Sequence, residues 1–210
     1  MKGRSLVSLT ASLTILGSSS LPVLAGYDRY PTNAEVQRLR QEFRQKIVPE
    51  TQRFIRTGAG FGRDKRTASD LENRASFIRA WSRVEPDIAP FLGEWQGQEN
   101  GLLIFPSNVR GRVCVIYIPG DLPNVVNFGL GSVSNNQLKV NFDGKRPTTL
   151  IQEQDYLGLI DVYKNKAMLW PQVMPKPLTE LGNSFYGRDT SRIIPQLQDA
   201  GCTASGPKQR

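Results

Sequence analysis

Apolar residues recur at helical spacing in two stretches near the start of the chain. In residues 33–47 they fall every three or four positions from Val36 onward, and a second stripe of the same kind fills residues 70–84. This spacing places the apolar side chains on one face and predicts two amphipathic helices. Pro49 follows the first helix and is expected to break or kink it, the second case leaving Phe54 and Ile55 on a short helical continuation.

A capping box is expected at the start of each predicted helix. Thr32 with Glu35 would begin the first, and Ser69 with Glu72 the second. In this motif the side chain of each partner accepts a hydrogen bond from the backbone N–H of the other. The helices are therefore expected to pack as a hairpin or against another element.

From Phe91 onward the pattern changes to short β-rich runs separated by turn residues. Leu138, Val140 and Phe142 alternate with polar residues, as in a strand with one buried face. The predicted strands are 92–97, 101–106, 112–118, 124–133, 137–142, 147–153, 156–163 and 166–170. Their regular spacing favours an antiparallel meander of six to eight strands, either a curved sheet or a small barrel.

The sheet is expected to end at Trp170, where the chain becomes rich in proline. A short helix is predicted over 190–200, with Gly201 as its cap. We therefore predict an α+β fold in three parts, which are a helical N-terminal region (26–89), a β-meander (90–172) and a C-terminal tail (173–210).

The first 25 residues have the pattern of a cleavable signal peptide. Lys2 and Arg4 precede an apolar run over 6–16, and residues 23–25 fit the positions before a cleavage site after Ala25. A membrane-spanning helix needs roughly 20 apolar residues, more than this run or any later one supplies. We therefore expect a soluble secreted or periplasmic protein without an integral membrane segment.

Cys114 and Cys202 are the two cysteines of the chain, and we predict a disulfide between them. A lone pair of cysteines in an exported protein usually bonds. The alternative is two unpaired thiols, one buried and one exposed. Their spacing fits neither a CxxC motif nor a zinc site. The bond would attach the C-terminal tail to the β-meander.

Histidine is absent from the sequence. This excludes Ser-His-Asp and Cys-His nucleophilic sites in their usual form, and histidine-ligated zinc or copper sites. We predict neither a metal site nor a cofactor. A histidine-free glycan hydrolase would need two acids facing one cleft. The candidates in the β segment are Glu94, Glu99, Glu153, Asp155 and Asp161.

Basic residues are concentrated in the predicted helices, whereas residues 90–172 hold seven basic and seven acidic side chains. The candidate binding residues are Arg38, Arg40, Arg44, Lys46, Arg79 and Arg83. They favour an acidic protein or an anionic envelope component as partner, the alternative being a solvated surface. Nucleic acid is not expected, because no basic stripe carries interleaved stacking aromatics.

Glycines are frequent in the segment 58–62. A dinucleotide-binding loop would need a preceding strand, so we interpret this segment as a flexible connector. If it binds an anion, Arg63, Lys65 and Arg66 are the expected contacts. The aromatic candidates for stacking on a sugar or gripping a peptide are Tyr117, Tyr156, Tyr163, Trp170 and Tyr186, although aromatics in strands are more often core.

Residues 91–95 resemble the Gly-x-Trp opening of lipocalins and related calycin barrels, through Gly93 and Trp95. The resemblance implies a barrel in which Trp95 packs at the closed end, and gives both residues a structural role. The alternative is a buried tryptophan that begins another β-rich core. We expect a non-catalytic exported binding module; the alternatives are a small lipocalin-like barrel with an apolar ligand and a histidine-free glycan hydrolase.

Overall fold

The computed structural model describes residues 29–122, 125–143, 147–182, 184–185 and 187–207. The predicted signal peptide, residues 1–25, lies outside the described residues. The fold is α+β, as predicted: N-terminal helices precede a closed antiparallel barrel of eight strands, and a short helix follows it.

The chain stays helical beyond the predicted 33–47 and past Pro49. Helix α1 (Asn33–Glu42) passes through one π-helical turn (Phe43–Ile47) into helix α2 (Val48–Thr57). The capping box of Thr32 and Glu35 is present. Pro49 lies in the first turn of α2, where a missing N–H is tolerated. The chain thus changes its helix type before the proline and remains helical beyond it.

Helix α3 (Ala68–Ser82) begins two residues before the predicted 70–84. Its capping box is formed by Thr67 and Asp70 instead of Ser69 and Glu72. The Asp70 N–H donates to the Thr67 hydroxyl at 3.0 Å, and the Thr67 N–H donates to the Asp70 carboxylate at 2.8 Å. A short 3₁₀ turn, Ala89–Phe91, then leads into the barrel.

Eight consecutive strands form the barrel as a simple meander. They are β1 (Gly93–Gln96), β2 (Asn100–Pro106), β3 (Arg112–Pro119), β4 (Asn127–Ser134), β5 (Gln137–Phe142), β6 (Thr148–Glu153), β7 (Tyr156–Tyr163) and β8 (Lys166–Lys176). Each strand pairs antiparallel with the next, and β1 pairs with β8. Of the two sheet forms that the sequence left open, the structure has the closed barrel.

Strand β8 is longer than the predicted 166–170, because it runs on to Lys176 through two prolines. Pro171 is level with Gly158 of β7, and β1 joins β8 only from Val173 onward. A proline is tolerated where one side of a strand lacks a partner. The second proline, Pro175, lies where the β1–β8 register shifts. The added residues are those that close the barrel.

The C-terminal segment covers the outer face of β2, β3 and β4. It contains two short paired strands, β9 (Ser184–Phe185) and β10 (Arg188–Asp189), and helix α4 (Ile193–Asp199) within the predicted 190–200. Cys114 and Cys202 form the predicted disulfide, with Cα atoms 6.2 Å apart. Ile193 and Leu197 pack on the outward-facing side chains of the sheet, which buries Cys114 fully.

The N-terminal helices do not form a hairpin with each other. Helices α1 and α2 pack against the outer face of β6, β7 and β8, in a core that includes Val36 and Phe43. Helix α3 lies across one end of the barrel, where Phe77 and Trp81 join the apolar interior. In the part of the chain that the structure describes, no helix has the length and apolarity needed to cross a bilayer.

Candidate functional site

The predicted binding arginines of helix α1 and of the π-helical turn after it are held by other groups of the same chain. Arg40 contacts the Glu153 carboxylate at 3.4 Å and donates to the Asn136 carbonyl at 2.9 Å. Arg44 forms two hydrogen bonds to the same carboxylate, at 2.9 and 3.0 Å. Arg38 lies 3.5 Å from Glu42 on the same helix. These contacts fix α1 on the barrel.

The remaining predicted binding residues, Lys46, Arg79 and Arg83, are exposed. Lys46 lies in the π-helical turn beside the outer face of the barrel, whereas Arg79 and Arg83 lie at the end that α3 covers. The six basic residues therefore belong to two separate parts of the surface, and two of the six hold one buried carboxylate.

Trp95 lies in the barrel interior at the end covered by α3, which we call the closed end. Its indole N–H donates to the Phe91 carbonyl at 2.8 Å, and the Arg74 guanidinium stacks 4.9 Å above its ring. Burial lowers the pKa of Arg74 to about 10. Gly93 has φ +131°, and a Cβ there would lie 3.0 Å from the Lys176 carbonyl oxygen.

Large aliphatic side chains fill the closed half of the interior. Leu138 and Val140 point inward and are fully buried, as are Leu157 and Leu150, which is paired with Leu138 on the next strand. Phe142 continues this column and is only 7% exposed. In a small barrel, bulky inward-facing residues of this kind leave little free space, so this half of the interior is filled by its own side chains.

The opposite end of the barrel carries polar inward-facing residues. We call it the mouth: the end formed by the β1–β2, β3–β4, β5–β6 and β7–β8 connections. The mouth cluster consists of Asn100, Tyr117, Asp161, Trp170 and Gln172. Asn100 hydrogen-bonds Tyr117, and the Trp170 indole N–H lies 3.4 Å from the Asp161 carboxylate. Burial, followed by nearby Asp121 and Asp161, raises the pKa of Tyr117.

Three polar atoms of the mouth cluster are buried without a hydrogen-bond partner among the described residues. They are both carboxamide atoms of Gln172, whose side chain is 0% exposed, and Oδ1 of Asn100. A Cβ on Gly97 would overlap Asn100 and lie 2.8 Å from Gln172 Nε2, so the two amides adjoin one point. Each unmade hydrogen bond of this kind costs about 1–3 kcal/mol.

A groove lies on the outside of the barrel between its two coverings. It has a volume of about 480 Å³, and its floor includes the outward-facing Leu103, Ile118 and Met174. The segment 61–66 forms one wall, and Arg188 lies on the other. Five basic and three acidic side chains line the groove, namely Arg63, Lys65, Arg66, Lys176 and Arg188, with Asp64, Glu94 and Glu99.

Among the described residues, Arg66 alone of these five bases forms an ion pair. Arg66 binds Asp64 at 2.7 Å and the Pro175 carbonyl at 3.3 Å, whereas Arg188 donates to backbone carbonyls of the β3–β4 connection. Arg63 and Lys65 are exposed, and no acidic side chain of the described residues lies within ion-pair distance of either. The segment 61–66 thus presents two exposed cations to the groove, without an ion-pair partner in the part of the chain that the structure describes.

The candidate acids for hydrolysis lie in several places. Glu153 is held by Arg40 and Arg44, Asp155 lies 4.0 Å from Arg74, and Asp161 belongs to the mouth cluster. Glu94 and Glu99 both line the groove. In the part of the chain that the structure describes, no three acidic or thiol groups are placed to hold a metal ion.

No family model, curated protein or solved structure matches this chain. The functional argument therefore rests on its own geometry.

Proposed function

We propose that the protein is a non-catalytic binding module that holds a short acidic segment of another protein in the groove beside β1 and β2. The observation that carries the proposal is the pair Arg63 and Lys65, exposed on the groove wall without an acidic partner among the described residues. Unpaired cations in a concave site attract and orient anionic groups.

A peptide suits this groove better than a uniform polyanion does. The floor presents Leu103, Ile118 and Met174, which offer apolar contact, whereas Glu94 and Glu99 interrupt the basic lining. A uniformly anionic polymer would meet those carboxylates, but a peptide can place acidic and apolar side chains separately. A volume of about 480 Å³ lies within the range of small ligand sites and suits only a few residues.

The exposed bases outside the groove have a secondary role in this proposal. Arg38, Lys46, Arg79 and Arg83 raise the positive potential of the surface and so speed encounter with an acidic partner. The disulfide of Cys114 with Cys202 supports an oxidising compartment, secreted or periplasmic, as the place of this binding.

The two alternatives have less support from the geometry. An apolar ligand inside the barrel would have to displace Leu138, Val140 or Phe142. A glycan hydrolase needs an acid pair in one cleft, and of the candidates only Glu94 and Glu99 share the groove.

Binding of two matched peptides tests the proposal. One fluorescent peptide alternates Glu with Leu, and the other replaces each Glu by Gln. In fluorescence anisotropy the acidic peptide is expected to bind, and its affinity is expected to fall severalfold between about 50 mM and 300 mM salt. Arg63→Glu with Lys65→Glu should weaken binding at least about tenfold.

The matched control carries the same change of charge outside the groove, as Arg38→Glu with Lys46→Glu. It is expected to weaken binding only about twofold, through long-range attraction. Equal losses in the two double variants would show non-specific attraction and contradict the proposal, as would equal affinity for the Gln peptide. Binding to anionic vesicles that depends on Arg63 and Lys65, without binding to the peptide, would reassign the groove to a lipid surface.

A further inference from the structure

We infer that the mouth of the barrel is a second binding site, for a neutral saccharide, next to the groove, whose lining includes Asn100. The site is the mouth cluster of Asn100, Tyr117, Asp161, Trp170 and Gln172. The inference goes beyond the proposed function, because its residues face the barrel interior and its ligand is uncharged.

Strand pairing places the cluster on the inner face. Trp170 and Gln172 are level with Leu159 and Leu157, which belong to the barrel interior. Residues directly opposite one another in an antiparallel pair point to the same side of the sheet. Strand β1 meets β8 only from Val173 onward, so the edge of β8 before that residue has no paired strand on this side among the described residues. Trp170 is accordingly 45% exposed.

Gln172 is the observation that points to a ligand. Its side chain is fully buried, and neither its carboxamide oxygen nor its nitrogen has a hydrogen-bond partner among the described residues. Buried polar side chains of native proteins nearly always have partners. Oδ1 of Asn100 is also buried without a hydrogen-bond partner among the described residues. Like Gln172 Nε2, it lies next to Gly97. Two amides thus direct unused donors and acceptors toward one place.

The chemistry of the cluster favours hydroxyl groups. Gln172 offers a donor and an acceptor side by side, and Asn100 offers an acceptor. A sugar hydroxyl both donates and accepts, so adjacent hydroxyls can satisfy such a mixed set. The indole face of Trp170 supplies a flat apolar surface for the C–H groups of a sugar ring. Asp161 and Asp121 bring negative charge to the mouth, which disfavours an anion.

The intrinsic fluorescence of the full chain provides the assay. Trp81 and Trp95 are each at most 5% exposed, so a ligand at the mouth should change mainly the emission of Trp170. The probes are maltose, cellobiose and N,N′-diacetylchitobiose, with tetramethylammonium as a cationic comparison. At least one saccharide is expected to give a saturable change, with Kd on the order of 1 mM.

Two variants of the cluster and two controls test the assignment. Gln172→Leu should weaken saccharide binding at least about tenfold and raise the unfolding temperature, because it removes buried polar atoms that lack partners. Trp170→Ala alters an exposed residue and should abolish binding measured by calorimetry while the fold persists. Gln37→Leu, an exposed glutamine on α1, should leave binding unchanged. Arg63→Glu with Lys65→Glu should weaken saccharide binding less than about twofold, since neither side chain belongs to the mouth cluster and the ligand is uncharged.

Several results would overturn the inference. They are the absence of a saturable response to all three saccharides, an undiminished response in Gln172→Leu, and a response to tetramethylammonium alone. Loss of saccharide binding in the groove variant would show that the two sites are one. Failure of the acidic peptide to bind, with intact saccharide binding, would contradict the proposed function and leave the mouth site standing.

Discussion

Glu35 joins the segment before helix α1 to the helix itself. Its carboxylate accepts two hydrogen bonds from Arg29, each at 2.8 Å, and one from the Thr32 N–H at 2.7 Å. The Arg29 hydrogen bond is the largest cause that lowers the pKa of Glu35 from 4.5 to about 2. A carboxyl whose pKa is lower in the folded state stabilises the fold above its unfolded pKa.

We therefore predict a pH-dependent cost for Glu35→Gln. At pH 7 the variant should lose about 1–2 kcal/mol of unfolding free energy, a value reduced for partial solvent exposure. The difference from the parent protein should shrink as the pH falls below about 4.5 and vanish near pH 2, where the parent carboxyl is itself protonated. Urea unfolding at several pH values measures this.

Glu42→Gln is the matched control, because its pair with Arg38 is exposed on both sides and should contribute under about 0.5 kcal/mol. A cost of Glu35→Gln that stays constant from pH 7 to pH 2 would contradict the assigned role of its charge.

Among the elements, α1 is attached to the barrel through one carboxylate that two arginines share. The Glu153 side chain is 12% exposed, that of Arg40 18% and that of Arg44 66%. A pair with an exposed member contributes little, whereas removing one member of a buried pair leaves a charge without compensation. The two arginines should therefore differ in their contribution to stability.

We predict that Arg40→Ala lowers the unfolding free energy by about 1–3 kcal/mol, and Arg44→Ala by less than about 1 kcal/mol. The larger cost also reflects the bond from Arg40 to the Asn136 carbonyl. Urea unfolding of both variants, each combined with Glu153→Gln in a double-mutant cycle, measures the two couplings. Equal costs for the two arginines would argue against this account of the attachment.

Most elements follow from the sequence because local signals agree with the final fold. Strands β5 and β7 match the predicted 137–142 and 156–163, since apolar alternation and flanking turn residues mark their limits. The sequence predicts the start of α3 two residues late because Ser69 and Glu72 repeat the pattern that Thr67 and Asp70 use. Where two caps are possible, packing of the helix on the barrel decides.

The rest depends on contacts between distant parts of the chain. Pro171 and Pro175 indicated the end of a strand, and only pairing with β1 shows why β8 continues. The sequence around Gln172 does not indicate a binding site. Its side chain comes to lie beside Asn100 only when the barrel closes. Arg63 and Lys65 were recognised as possible anion contacts, but the groove beside them is a product of the fold.

At the scale of the whole molecule, the N-terminal helices and the C-terminal segment cover the outside of the barrel. The disulfide attaches the C-terminal segment to it. Beyond Cys202 itself, the C-terminal segment is held by the Ser107 hydroxyl, which donates to the Ala200 carbonyl at 2.7 Å, and by the Asn108 N–H, which donates to the Gly201 carbonyl at 2.8 Å. The bond joins residues 88 positions apart and should stabilise the fold by about 4–5 kcal/mol, by restricting the unfolded chain.

We predict that reduction releases the C-terminal covering before the barrel unfolds. In hydrogen exchange, residues 193–203 should lose protection under conditions where β5, β6 and β7 keep theirs. A variant with Cys114→Ala and Cys202→Ala should show the same pattern without reductant, and reductant should not alter it further. Uniform loss of protection across the barrel would mean that the disulfide supports the whole fold instead.

Closure of β1 on β8 also has a consequence for the order of folding. Seven of the eight strand pairings join neighbours along the chain, so they can form as local hairpins while later residues are still unfolded. The eighth joins Gln96 to Val173 and must wait for the last strand. Contacts between distant residues are the slow ones, because the loop between them loses entropy first. The slow folding step should therefore be the pairing of β1 with β8. The side-chain amides of Asn100 and Gln172 should come together only at that step.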